Sequence, residues 1–400
     1  MAEETKLWNS KFILIFITNL LMYGVFYALN PVIPIYGMQI GFSPSQIGLV
    51  LTSMSITTIL FRPLAGYLLD NFNRYSVFLI FLALLCISFL GYPLFTLVGA
   101  LVCVRLFTGA VWSICGSSTV TLAGDTLPRP KIGMGISRFT LTIALGMAVG
   151  PFIGIQIQNS FGSHASFYVL FGMAVIAFIC AFSLRLKYPE TERKPFRMST
   201  VFYKPAAPFM LNMAFIMIPY GAFLAFTTTF AIGKGLMSSV ALFYVFMSCG
   251  LLASKLGTQK IVDSGSYKGV VLISLLILAA AMYLFQYVST PIHLFIIALV
   301  LGVGYGILQP LFQSMVTSIA PPPKRGAANS TYLLSYDIGI GLGAFAMGQV
   351  QATIGLGAGF AYTAIGYAVA VIIFFTYTQG YYRRKLAEAP PPGPPAVKPS

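Results

Sequence analysis

Charged side chains are scarce in this chain of 400 residues, and acidic ones are the scarcest. Asp, Glu, Lys and Arg together make up 8% of the residues, against roughly 25% in a typical soluble domain. A water-soluble globule is excluded, because too few charges remain to cover its surface. The hydrophobic share of 58% also excludes a disordered chain, except at the proline-rich C-terminal tail.

The motifs of many enzymes are missing too. There is no HExxH, no Ser/His/Asp set and no pair of carboxylates within an apolar run, and GxxxxGK[ST] is absent. The five cysteines lie inside apolar runs with no CxxC or Cys/His spacing. The sequence therefore predicts a protein that is not an enzyme, carries no disulfide, metal or cofactor, and does not use ATP directly.

Long apolar runs are what the chain does contain. A membrane-spanning helix needs about 20 apolar residues, so twelve helices would use about 240. The 58% of hydrophobic residues amount to about 232, which is close to that number. Nothing at the N-terminus resembles a secretory signal, so the first run is interpreted as a retained span. The apolar runs lie at 12–34, 46–69, 76–96, 99–123, 134–156, 167–186, 206–230, 238–258, 268–289, 291–316, 329–351 and 357–380.

The fold class that follows is an all-α integral membrane protein with twelve transmembrane helices in two six-helix bundles. Lys and Arg concentrate in the connections on one side, and only Lys234 lies on the other, which predicts cytoplasmic termini in a cell membrane. The basic residues behind the net charge of +15 therefore indicate the orientation of the chain in the membrane. They are also expected to contact anionic lipids, and no nucleic-acid partner is expected. The predicted divisions are a cytoplasmic N-terminus at 1–11, bundles at 12–186 and 206–380, a cytoplasmic linker at 187–205 and a cytoplasmic Pro-rich tail at 381–400.

Several residues of the two halves match at a constant offset of 193. Because the offset spans six helices, both halves have the same orientation and are related by an axis along the membrane normal. Such an arrangement favours a substrate site between the halves that opens alternately to each side. The matched pairs include Asp70 with Asp263, Gly146 with Gly339, Gly150 with Gly343, Asn19 with Asn212, and Tyr27 with Tyr220.

Three short segments resemble signatures of the major facilitator superfamily. Residues 66–74 (GYLLDNFNR) resemble its loop signature, and 105–109 (RLFTG) resemble its Arg-x-x-x-Gly motif. Residues 146–154 (GMAVGPFIG) resemble the Gly-Pro motif of its antiporter branch, although such glycines also serve plain helix packing. In the second loop Gln259 replaces the usual glycine. The resemblance implies an exporter of the major facilitator fold, with gating by Gly66, Asp70, Arg74, Asp263, Gly146, Gly150, Pro151 and Gly154.

Two further segments narrow the resemblance. Residues 61–66 (FRPLAG) and 337–344 (DIGIGLGA) are similar to segments of staphylopine-type metallophore exporters. This local likeness implies a substrate that carries carboxylates.

The few charges inside the predicted spans are candidates for proton coupling. Asp337 is the only acidic residue deep in a span, where a carboxylate is costly unless it is paired or protonated. Arg105 is a second deep charge and needs a partner, water or an anionic substrate, unless it reaches the outer interface. We expect Asp337 and Arg105 to couple transport to protons, with a structural Asp337 as the alternative. Arg62 and Arg138 are interpreted as interfacial or gate residues.

Polar and aromatic residues at helical spacing are predicted to line the substrate path. The alternative is hydrogen bonding between helices. Aromatic rings with a few amides suit a small amphipathic molecule. The first span has no acidic residue, so an anionic, zwitterionic or neutral substrate is favoured over a lipophilic cation. The predicted lining is Asn19, Tyr23, Tyr27, Asn30, Trp112, Asn212, Tyr220, Tyr305, Gln309, Gln313 and Tyr336.

Together these features predict a proton-coupled exporter of a small organic molecule that works by alternating access. It would act as a monomer in the lipid bilayer and use the proton gradient as its energy source. The alternatives are a metallophore exporter of the staphylopine type, a proton symporter that imports a small metabolite, and a membrane substrate sensor.

Overall fold

The computed structural model describes residues 7–128, 132–186, 202–263, 267–321 and 325–388, and the regular elements of this part are all helices. The helices of the N-terminal half are α1 (Ser10–Gln39), α2 (Pro44–Asn71), α3 (Arg74–Leu94), α4 (Val98–Asp125), α5 (Ile132–Phe139) and α6 (Leu141–Phe182). Those of the C-terminal half are α7 (Ala207–Gly233), α8 (Val240–Asp263), α9 (Tyr267–Phe285), α10 (Pro291–Ser318), α11 (Arg325–Thr363), α12 (Ile365–Ile373) and α13 (Gln379–Glu388). Short 3₁₀ turns precede α7 and α8, and the π-helical turn Phe374–Thr378 joins α12 to α13.

Polar residues between the apolar runs mark where helices begin. The Asn9 side chain accepts a hydrogen bond from the Phe12 backbone N–H and caps α1. Ser43 and Gln46 form a reciprocal capping box at the start of α2. These caps satisfy backbone groups that the first turn of a helix leaves without partners. The apolar run then continues each helix across the bilayer.

Two helical segments are too long for a single crossing. Among the described residues, ten segments are long and apolar enough to span a membrane, and two of them contain 49 and 62 residues. Each of these two is interrupted by a glycine in the left-handed region, Gly162 with φ 86° and Gly355 with φ 78°. Each is therefore two crossings, and the described chain crosses the membrane twelve times, as the sequence predicts.

Contacts across the two glycines show that the chain reverses there. Ser166 Oγ donates to Gly154 O at 2.9 Å, although twelve residues of continuous helix would separate them by about 18 Å. In the C-terminal half, a methyl group on Gly359 would lie 2.7 Å from Met347 Sδ, again twelve residues back. Both pairs differ by 193 in number, so the repeat seen in the sequence extends to the backbone.

Inside each half, glycines bring the first span against the fifth. A methyl group on Gly150 of α6 would overlap Gly24 O of α1. At the matching position of α11, a methyl group on Gly343 would overlap Ile218 O of α7. Only glycine fits at these two positions, so they fix how closely the two helices approach.

The two halves meet along α2 and α11, with further contacts of α6 with α8 and of α1 with α7. Both ends of the described chain lie on one side of the twelve crossings, which we call the terminal side, and the opposite side is the far side. Near the far side, Ser45 Oγ donates to Gly348 O at 3.2 Å and Thr52 Oγ1 to Gly341 O at 3.3 Å. Between them, a methyl group on Gly48 would lie 3.1 Å from Gly348 Cα.

We call these five residues of α2 and α11 the far-side zipper. Closer to the terminal side, a methyl group on Gly66 of α2 would meet nothing within 4 Å. Since the inter-half contacts of the zipper are tight and Gly66 faces open space, the conformer described here is closed on the far side.

Candidate functional site

An ion pair joins the two halves where the zipper ends. Arg62 of α2 donates through Nε to Asp337 Oδ2 at 2.8 Å and through Nη2 to Oδ1 at 3.4 Å. Its Nη1 donates to Ser117 Oγ of α4 at 3.4 Å. The two charged side chains are 12% and 14% exposed. The pair is therefore largely shielded but still within reach of a small molecule or a proton.

Aromatic rings of the N-terminal half lie beside this pair. Tyr23 of α1 is within electrostatic range of both Arg62 and Asp337. Its ring meets Trp112 of α4 edge to face at a centroid distance of 5.2 Å. Phe26 stacks on the same indole at 4.4 Å with an interplanar angle of 13°. These rings form an apolar wall of the kind that holds the body of an organic ligand.

Tyrosines from both halves continue this wall towards α7 and α11. Tyr27 of α1 and Tyr220 of α7 are close enough for their hydroxyl groups to interact across the interface. Tyr336, the neighbour of Asp337, lies within electrostatic range of both. Its hydroxyl also contacts that of Tyr332 at 3.2 Å. We call the seven residues of this region the central cluster: Tyr23, Tyr27, Arg62, Trp112, Tyr220, Tyr336 and Asp337.

Five of the predicted lining residues thus come together with Asp337. Tyr305 lies next to Tyr220, with a distance of 4.7 Å between the two ring centroids. Its hydroxyl forms a hydrogen bond with the hydroxyl of Tyr367. Tyr305 is fully buried within the C-terminal half. It therefore supports the ring of Tyr220 in this conformer.

Other predicted lining residues hold helices of the same half together. Asn19 donates to Thr142 Oγ1 of α6 at 2.6 Å, and Asn212 bonds Thr378 at 2.7 Å. Gln313 donates to Asn329 Oδ1 at 2.7 Å, on the terminal side of α10 and α11.

Two more residues of the predicted lining, Asn30 and Gln309, are buried and half-buried, respectively. Asn30 donates to Phe26 O one turn earlier in α1, at 3.3 Å. Gln309 is half-buried, and its backbone carbonyl accepts from the Tyr332 hydroxyl at 2.8 Å. A lining role for these amides remains a prediction.

Arg105 is not the partner of Asp337. Its side chain is buried between α4 and α2, with Nη1 3.2 Å from the thioether sulfur of Met54. Its Nε atom has no hydrogen-bond partner among the described residues. Arg138 is exposed near the terminal side. The structure therefore assigns the cross-half contact to Arg62, and the coupling role of Arg105 remains a prediction.

The predicted gate residues belong either to the loop signatures or to the Gly-Pro motif. The side chains of Asp70 and Asp263 lie outside the described residues. Arg74 lies at the start of α3, with Nη1 3.6 Å from Asp125 Oδ2 and Nε donating to Leu69 O at 3.0 Å. These contacts all lie within the N-terminal half.

The glycines of the Gly-Pro motif face α1 of their own half. Methyl groups on Gly146 and Gly150 would clash with the backbone near Gly24, and one on Gly154 would lie 3.0 Å from Val32 Cγ2. Pro151 is buried in the same helix. The face of α6 that carries these glycines is thus an internal packing face, while α6 also contacts α8 of the other half.

Depth along the helices would have identified Arg62 as the partner of Asp337. Arg62 is nine residues from the terminal-side end of α2, or about 14 Å, and Asp337 is twelve residues from that end of α11, or about 18 Å. Arg105 is twenty residues from the terminal-side end of α4, or about 30 Å. Matching depths therefore favour Arg62 over Arg105 as the partner of Asp337.

The central cluster can bind small charged groups and protons. Arg62 keeps its proton, whereas a carboxyl group such as Asp337 exists in two protonation states. Ionised, Asp337 holds α11 to α2 through Arg62, and protonation removes the charge that Arg62 attracts. Among the described residues, no group of three or more His, Cys, Asp or Glu is placed to hold a metal ion.

Known proteins of similar sequence are transporters. The staphylopine export protein of Staphylococcus aureus is 24% identical over 348 residues, which cover 82% of this chain and 86% of that protein. The multi-drug resistance efflux pump PmrA of Streptococcus pneumoniae is 23% identical over 316 residues, which cover 73% of this chain and 76% of that protein.

A solved structure and the family comparison agree with the fold. A crystal structure of a mutant of the nucleoside transporter NupG superposes with a TM-score of 0.76 at 16% identity, covering 92% of this chain and 99% of that one. At this identity the likeness concerns the fold alone. The Major Facilitator Superfamily matches residues 15–344 and 258–399. With its twelve spans in two repeated halves, the chain belongs to the Major Facilitator Superfamily of transporters.

Proposed function

We propose that this protein is an exporter of a small organic molecule that exchanges its substrate for protons by alternating access. The observation that carries the proposal is the ion pair of Arg62 and Asp337 between the two halves. It contains the only acidic residue deep in a predicted span, and it lies next to the aromatic rings of the central cluster.

The names of two relatives support outward transport. One is a staphylopine export protein and the other a multi-drug resistance efflux pump. Export of a metallophore is the narrower candidate, favoured by the first of these relatives and by the similar segments at 61–66 and 337–344. The basic linker and tail support cytoplasmic termini, which would make the terminal side cytoplasmic and the far side external.

The transport cycle follows from the two states of Asp337. With the far side closed and Asp337 ionised, substrate enters the central cluster from the cytoplasm. The halves then separate along the zipper, and a proton from outside binds Asp337 and displaces the substrate. The protonated carrier returns, and Asp337 loses its proton to the cytoplasm. One charge moved across 100 mV supplies about 2.3 kcal/mol, and each pH unit about 1.4 kcal/mol.

The proposal predicts that Asp337→Asn abolishes proton-driven accumulation. Asn keeps the size of Asp but cannot take up and release a proton, so exchange of substrate for protons stops. The measurement is uptake of a panel of small organic molecules into proteoliposomes that are more acidic inside than outside. We expect the wild type to concentrate at least one compound and Asp337→Asn to concentrate none.

The control for this experiment is Glu388→Gln, which removes another carboxylate. Glu388 is exposed in α13, where it pairs with Lys385, and exposed pairs contribute little to stability. We expect it to transport like the wild type. Equal accumulation by the wild type and Asp337→Asn would contradict the coupling role, and accumulation only in vesicles that are more acidic outside would indicate symport instead.

A further inference from the structure

The charges of the ion pair restrict which substrates it can exchange for a proton. The guanidinium of Arg62 stays positive at any physiological pH, whereas the carboxyl of Asp337 can gain a proton. With Asp337 ionised the pair is neutral, and with Asp337 protonated the pair carries one positive charge. A charge left without a partner at that depth is costly.

Substrates of different charge would couple to the proton differently. A pure anion binds Arg62 more tightly when Asp337 is protonated, so anion and proton would travel together. A pure cation competes with the proton for Asp337 but leaves Arg62 without an anion. A molecule with both groups competes with the proton and also neutralises Arg62. Only this third class both competes with the proton and leaves no unpartnered charge in the substrate-bound carrier.

We infer that the substrate is a zwitterion whose carboxylate binds Arg62 and whose ammonium group binds Asp337, replacing the direct contact between them. This inference rests on the proposed function, because exchange for protons excludes a pure anion, while the charge left on Arg62 disfavours a pure cation. It assigns the anionic subsite to α2 and the cationic subsite to α11, so the substrate bridges the two halves.

The geometry of the pair leaves room for such a replacement. The contact from Nη2 to Oδ1 is long at 3.4 Å, as is the contact from Nη1 to Ser117. The five N–H donors of Arg62 make three contacts in this conformer, so donors remain for a carboxylate. Tyr23 and Trp112 lie alongside and provide an apolar surface for the body of the ligand.

Few other titratable groups face Asp337. Arg62 comes from α2 and Tyr23 from α1, and Tyr336 precedes Asp337 on α11. On the other helices packed against α11, charged residues and histidine occur only near the ends, and the remaining titratable side chains are tyrosines. Tyrosine has an ordinary pKa near 10, far above the working range, so a change of binding with pH reports Asp337.

Three matched probes test the inference by direct binding. Phenylalanine carries both charges, 3-phenylpropionate lacks the ammonium group, and phenethylamine lacks the carboxylate. The chain has two tryptophans, so a Trp8→Phe background leaves Trp112 of the central cluster as the single tryptophan, which is excited selectively at wavelengths that tyrosine does not absorb. Its emission is followed while each probe is titrated, at two pH values between which the charges of the probe do not change.

We expect phenylalanine to bind at least about tenfold more tightly than either probe that lacks a charge. Acidification by one pH unit should weaken phenylalanine binding by up to about tenfold, because a proton competes for Asp337, and should strengthen 3-phenylpropionate binding. Asp337→Asn should remove both pH effects and the preference for phenylalanine over 3-phenylpropionate. The neutral double variant Arg62→Gln/Asp337→Asn should bind neither phenylalanine nor 3-phenylpropionate. Glu388→Gln should bind the probes with the same affinities as the Trp8→Phe protein.

Three results would overturn the inference: equal or tighter binding of 3-phenylpropionate, phenylalanine binding that does not weaken on acidification, or no binding of any probe. The double variant leaves no unpaired charge at the site, so it should still fold. Size-exclusion chromatography of each variant shows whether lost binding reflects loss of the site or loss of the fold. Selective binding of zwitterions without proton-driven accumulation would contradict the proposed function alone. Accumulation of a pure anion in vesicles that are more acidic inside would contradict this inference alone.

Discussion

Asp337 and Arg62 illustrate what single residues of this sequence reveal. The depth of Asp337 follows from its place in an apolar run, because an acidic residue there is rare and costly. Its partner could not be identified from the run alone, since Arg62 lies 275 residues away and pairs with it only because α2 faces α11. Interpreted one at a time, Arg62 resembled an interfacial or gate arginine, and Arg105 was the second candidate for proton coupling.

At the residue scale, substitutions of this ion pair should affect stability and transport differently. Removing one partner of a shielded ion pair costs up to about 3–5 kcal/mol, and less here because both side chains are slightly exposed. Replacing both with apolar residues is often neutral or stabilising. We expect Arg62→Met/Asp337→Leu to melt at or above the temperature of Asp337→Leu in a thermal unfolding assay, yet to show no proton-driven transport. A double variant that still transports would contradict the account.

At the scale of helices, the sequence predicts the spans well and their faces less well. The runs at 134–156 and 167–186 are indeed separate crossings, and Gly162 reverses the chain between them. The repeat of glycines every fourth residue in α6 predicts a close helix contact, but it does not identify the neighbour. That neighbour is α1 of the same half, because the contact surface depends on how all six spans are arranged.

The glycine contact makes a prediction that has a matched control in the next span. A methyl group on Gly150 would overlap Gly24 O, whereas one on Gly172, also in α6, would meet nothing within 4 Å. We expect Gly150→Ala to destabilise the protein by about 1–3 kcal/mol or more through overpacking. Gly172→Ala should be neutral or stabilise by up to about 1 kcal/mol, because alanine favours helix.

The measurement is the thermal unfolding temperature of each variant in detergent. If both substitutions lower it equally, the loss is a general effect of replacing glycine, and the close approach of α1 and α6 is wrong. The corresponding contact of Gly343 with Ile218 should show the same sensitivity, because the second half repeats this packing.

At the scale of the whole molecule, the repeat of 193 residues predicts two equivalent halves but not which side is closed. Packing inside each half, such as α1 on α6, is compatible with either conformer. Only contacts between the halves differ, and here they run from the far-side zipper to Arg62 and Asp337. A pattern of apolar runs does not contain that information, because the same residues serve both conformers in turn.

We expect protonation of Asp337 to release one half from the other. Spin labels report this directly when placed on the far side, at Leu97 before α4 and at Ile354 beside the reversal in α11. Both side chains are exposed and belong to different halves. The labels require cysteines at these two positions in a background without the five native cysteines.

The decisive measurement is the distance distribution between these two labels at neutral and at acidic pH. In the protein with Asp337 intact, we expect a short distance at neutral pH and an added longer population after acidification. In Asp337→Asn, the longer population should be present at both pH values. One unchanged distribution in both proteins and at both pH values would contradict the account.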